Sequence, residues 1–117
     1  MSLEIRITKY GDIVNLSLDG NLTLGPQLRQ LSQKAEGLLT ESKPRALFLD
    51  MAAVKMLDSA GLGELMILYT NAGQRNCHLC LLHAPQHIVK LLEVTKLSEI
   101  LRCFPDHATA SQWLASH

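Results

Sequence analysis

Two short runs constrain this chain more than any other feature. ALFLDM (46–51) and HLCLL (78–82) are almost continuously apolar. Runs of this kind suit strands covered on both faces, as in parallel sheets. Parallel neighbours need a crossover, usually a helix. Between the two runs, Leu62, Leu65, Met66, Tyr69 and Ala72 recur at helical spacing, which predicts a helix over about 60–74 with that stripe in the core and Gly73 near its end. With Tyr69 and its stripe inward, Ile67 or Leu68 is expected at the surface.

The flanking segments extend the pattern. LEIRITK (3–9) and IVNLSL (13–18) alternate apolar and polar residues around Gly11-Asp12, which predicts an N-terminal β-hairpin. Gly25-Pro26 opens a helix whose stripe is Leu28, Leu31, Ala35, Leu38 and Leu39. Pro85 starts another, carrying Ile88, Leu91 and Leu92. ILRCF (100–104) reads as a short strand, and Asp106 caps a closing helix through Trp113 and Leu114. The order β-β-α-β-α-β-α-β-α implies an α/β domain over residues 1–117 with a mixed, largely parallel sheet.

Composition narrows the function. The 117 residues are 47% apolar, and 11 basic residues balance 11 acidic ones. No basic excess is available to grip phosphates, so a direct nucleic-acid ligand is not expected. No apolar run approaches the ~20 residues of a membrane span, and the opening residues have no apolar signal core. Three cysteines, Cys77, Cys80 and Cys103, are too few for a disulfide scaffold, which points to a reducing cytoplasm.

The informative stretch is Leu57-Asp58-Ser59-Ala60-Gly61-Leu62-Gly63-Glu64, between a buried strand and an amphipathic helix. Asp58 or Ser59 can cap that helix. Two glycines in its first turns cost about 1 kcal/mol each relative to Ala, so they ask for a reason. Close approach by another chain or a neighbouring element is one. A hydroxyl at a helix N-terminus is also a favourable place for a phosphate, and phosphorylation would add about −1.5 to −2 charges beside Asp58. The simpler reading is a plain N-cap with glycines serving helix–strand packing.

Asp58-Ser59-Ala60-Gly61-Leu62-Gly63 resembles the Asp-Ser-Ser/Thr/Ala-Gly-Leu-Gly motif of bacterial anti-sigma factor antagonists, which are stand-alone STAS domains. The similarity extends over nearly the whole chain, from the hairpin ending in Gly20-Asn21-Leu22 to the Leu92–Leu97 segment and the closing helix. It implies a STAS-like fold with about four helices mainly on one side of the sheet. It implies Ser59 as phosphoacceptor, an anti-sigma factor with serine kinase activity as partner, and a phosphatase that reverses the modification. The unphosphorylated form would bind the anti-sigma factor and free a sigma factor. The implied partner surface comprises Asp58, Ser59, Ala60, Gly61, Leu62, Gly63, Glu64 and Ile67, flanked by Asn21 and Thr23. Those last two replace the acids of the family's Gly-acidic-Leu-Asp pattern, which leaves room for a different STAS role, such as a docking subunit of a transport complex.

Other constellations point to less. Cys77 and Cys80 form a Cys-x-x-Cys, but on a strand they face opposite ways and cannot chelate one ion. His83 and His87 straddle Pro85, so they are not expected on one helix face. Ser59 lacks the first glycine of a hydrolase elbow. No enzyme, metal or cofactor is expected, and the oligomeric state is expected to be monomer or weak dimer.

Overall fold

The computed structural model describes residues 3–117; Met1 and Ser2, the start of the expected domain, lie outside the described residues. The elements are β1 (Leu3–Tyr10), β2 (Ile13–Leu22), α1 (Pro26–Glu41), β3 (Ala46–Leu57), α2 (Ser59–Gln74), β4 (His78–Leu82), α3 (Gln86–Val94), β5 (Arg102–Phe104) and α4 (His107–Ala115). The five strands form one sheet in the order β1-β2-β3-β4-β5. β1 and β2 are antiparallel, and every later pairing is parallel.

The hairpin turns at Gly11, whose φ of 62° is the positive value a two-residue type II′ turn requires at its first central position. Beyond it, each strand lies beside its predecessor. Right-handed crossovers taken in one direction put their helices on one face. α1, α2 and α3 therefore share a side, burying Leu31, Leu65, Leu68, Ile88 and Leu92 against Leu16, Leu47, Leu49, Leu79 and Leu81.

α4 is the exception. It packs Ala110 and Leu114 on the other face, against Ala46, Phe48, Cys80 and Leu82, with Trp113 and Phe104 alongside. This explains the two apolar runs. Successive side chains of a strand point to opposite faces, so Leu47 and Leu49 serve the large core while Ala46 and Phe48 serve the small one. The alternation also separates Cys77, in the large core, from Cys80, in the small one. Burial pushes their thiols up, to about 11 and about 12.

Two strands run further than their sequence patterns suggest. β2 continues to Leu22 and β3 to Leu57, paired in parallel to their last residues through register shifts at Ser17/Asp19 and Gly20/Asn21. β4 reaches only Asp50 of β3. The far ends of β2 and β3 thus project together, and α2 starts from that projection.

Candidate functional site

Asp58 leaves β3 in an extended conformation and caps α2. One carboxylate oxygen, Oδ1, accepts from the Gly61 N–H at 2.8 Å, and Oδ2 accepts from the Leu24 N–H at 2.9 Å. One side chain therefore ties the helix start to the loop that follows β2. These N–H donors, Leu24 first and Gly61 second, hold the Asp58 carboxyl below the usual carboxylate value. The Asp58 N–H donates to the Leu22 carbonyl at 3.3 Å, which closes the same seam through the backbone.

The two glycines sit in different surroundings. Gly61 is buried, and a Cβ there would sit 1.9 Å from the Leu22 carbonyl oxygen. Only glycine permits this approach, so the neighbouring element that requires it is β2. Gly63 is exposed, and a Cβ there would meet nothing within 4 Å. No packing among the described residues requires it.

Ser59 is the first helical residue and is exposed. Capping falls to Asp58, not to Ser59. Ala60 and Leu62 are half-buried against the large core, and Glu64 is half-buried at the seam with α1, near Ser32 and Glu36. Ile67 is 53% exposed. Ser59, Gly63 and Ile67 lie four residues apart in turn, so they form one outward row.

The expected core stripe of α2 needs correction. Its buried residues are Gly61, Leu65, Leu68 and Ala72. Tyr69, expected in the core, is 40% exposed, while Leu62 and Met66 are only partly buried. The close approach of Gly61 to Leu22 fixes the helix rotation, and the stripe follows from Gly61 in steps of four, three and four.

Asn21 and Thr23 lie on the segment stitched to this site through Leu22 and Leu24. Asn21 is half-buried, and its Oδ1 has no partner among the described residues. Thr23 accepts from the buried Gln27 side chain through its carbonyl (2.9 Å) and hydroxyl (3.3 Å), securing the entry to α1. Sequence reasoning missed two neighbours. Leu24 is 82% exposed and Met56 is 59% exposed. Both lie on the segments that meet here: the Leu24 N–H bonds Asp58 directly, and Met56 pairs with Asn21 at the end of the sheet. The signal was present in AAVKML, which prolongs the strand beyond Met51.

The histidines beyond β4 are held separately. His83 Nδ1 lies 3.2 Å from Asp50 Oδ1, and His87 Nε2 lies 3.0 Å from the Lys55 carbonyl oxygen. His83 precedes α3 and His87 lies within it.

A parallel sheet entered by an antiparallel hairpin, with three helices on one face and a serine at the start of the second, is the architecture of a STAS domain. The family model described as "Mlab, STAS domain" matches residues 5–102, and the chain belongs to that family. Solved structures share the fold. An anti-sigma factor antagonist from Mycobacterium paratuberculosis superposes with a TM-score of 0.83 at 19% identity, covering 97% of this chain and 95% of its own. The Bacillus cell fate determinant SpoIIAA in its phosphorylated form gives 0.71 at 13% identity, covering 95% and 98%. A sulfate transporter family protein from Wolinella succinogenes gives 0.72 at 20% identity, covering 94% and 93%. No curated protein sequence matches significantly. Among the described residues no helix is long and apolar enough to cross a membrane.

Proposed function

We propose that this protein is a non-enzymatic docking module, an anti-sigma factor antagonist that acts in the cytoplasm and is switched at Ser59. The observation that carries the reading is the outward row of α2. Ser59 stands exposed at the helix start, capping is delegated to Asp58, and Gly63 leaves open space on the same face. Unmodified, this face accepts a partner surface at close range, with exposed Ile67, Leu24 and Met56 as apolar anchors. The partner is an anti-sigma factor with serine kinase activity. Phosphate on Ser59 would be tolerated by the helix, whose N-terminus favours an anion. It would be disfavoured by a docked partner, because a dianion beside the Asp58 carboxylate brings charge into a desolvated contact. A phosphatase restores binding.

Calorimetry against the anti-sigma factor tests this directly. Ser59→Ala should bind like the unmodified protein and resist phosphorylation, whereas Ser59→Asp should bind at least tenfold more weakly. Equal binding by the two variants would contradict the switch.

A second reading has its own support. Thr23 is committed to Gln27, and neither family acid is present at Asn21 or Thr23. The fold is also shared with a sulfate transporter family protein. A STAS subunit docking on a transport component would use the same α2 face. Neighbouring genes distinguish the two: a kinase or sigma factor gene for the first, a transporter gene for the second.

A further inference from the structure

The two edges of the sheet are built differently. Natural sheets blunt an open edge with a very short strand, among other devices. β5 does so with three residues, whereas β1 offers eight. A two-residue turn makes Tyr10 and Ile13 a hydrogen-bonded pair, and such pairs alternate along a hairpin. Hence Glu4, Arg6 and Thr8 direct their backbone groups at β2, while Leu3, Ile5 and Ile7 direct theirs away from the sheet. Nothing among the described residues pairs with that outer edge.

The side chains on β1 add a second observation. Glu4 stands directly opposite Asp19 of β2, a like-charge pair, which is unfavourable across strands. Neither Glu4 nor Arg6 forms an ion pair among the described residues, and both are exposed. The sequence Glu4-Ile5-Arg6 is self-complementary when reversed.

We propose that the outer edge of β1 docks a second copy of this chain, antiparallel, with Ile5 opposite Ile5. In this register Glu4 of each copy faces Arg6 of the other, twice over. These are non-hydrogen-bonded positions, where side chains are closest. The incoming guanidinium offsets the Glu4–Asp19 repulsion. Ile7, 39% exposed in the single chain, comes to lie beside the other copy's Leu3. Moving the two-fold by one residue would oppose Arg6 to Arg6 or Glu4 to Glu4. A net charge of zero puts no overall repulsion between copies.

Sedimentation velocity over a wide concentration range tests the proposal. The wild-type chain should show a reversible dimer that weakens with added salt. Glu4→Arg and Arg6→Glu should each weaken it at least tenfold, and the double reversal should restore it to within about threefold of wild type. All three changes are on exposed side chains, and circular dichroism checks that the fold is kept. A monomer at every concentration overturns the proposal. So does a dimer indifferent to these charges, or one abolished by Ile67→Asp instead, which would place the contact on α2.

Discussion

At the level of single residues, the two glycines at the start of α2 stand in opposite surroundings. Gly61→Ala drives a methyl group into the Leu22 carbonyl, and overpacking at a rigid backbone contact should cost about 3 kcal/mol. Gly63→Ala meets open space and gains helix propensity, so it should stabilise by about 0.5–1 kcal/mol. Urea denaturation of the two variants measures both. If Gly63 is kept for docking, the more stable Gly63→Ala protein should bind its partner less tightly than wild type. A Gly63→Ala variant that is more stable and binds equally well would remove this glycine from the proposed surface. From sequence, the pair had one composite meaning. The structure divides it, because only Gly61 lies against β2.

At the level of elements, most of the architecture was legible in hydrophobic periodicity. The two apolar runs became the strands that serve both cores, and Asp106 caps α4 by accepting from the Thr109 N–H at 2.8 Å. What was not legible was set by long-range contacts. The phase of α2 depends on where Gly61 meets Leu22, and no local pattern encodes that meeting. The end of α2, by contrast, falls at Gln74 as its periodicity and Gly73 suggest, and Asn76 beyond it takes the left-handed region at φ 56°. α3 ends in the same way at Lys96, φ 61°, where the Leu97 N–H reaches back to Leu92 and the Lys96 N–H to Glu93. This is the hydrogen-bond pattern of a Schellman motif, which usually places glycine at that position. Gly73 marks the end of α2 to within a residue, but no glycine follows it in the sequence, so the end of α3 carries no such signal. Lys96→Gly should relieve the left-handed backbone and stabilise the protein by about 1 kcal/mol. An unchanged or lower melting temperature would count against that strain.

At the level of the whole molecule, acid should lower the protein's stability over two separate pH ranges. His78 is held below its ordinary value of 6.5, by burial first and then by the nearby Arg45 and His117 cations. A base with a depressed value is protonated more readily once unfolded, so its contribution falls as pH drops below about 6.5. Asp58 and Asp106 are held below 3.8, chiefly by backbone N–H donors. Their contribution is complete above that value and is lost as pH falls below it. The urea midpoint should therefore decline below pH 6.5 and decline again below 3.8. His78→Gln should flatten the upper step, and Asp106→Asn should reduce the lower one. A midpoint constant between neutrality and pH 5 would contradict the role given to His78.

The seam at Asp58 has a further consequence. Because one carboxylate and one glycine lock α2 to β2, the proposed docking face would be formed before any partner arrives. Binding then loses little conformational entropy on this side. Under the proposed switch, a modification at Ser59 falls beside a cap already tied to the loop after β2, and its message would be read at the contact itself. Amide exchange in the phosphorylated protein should change only around the first turn of α2, leaving the rest of the sheet silent.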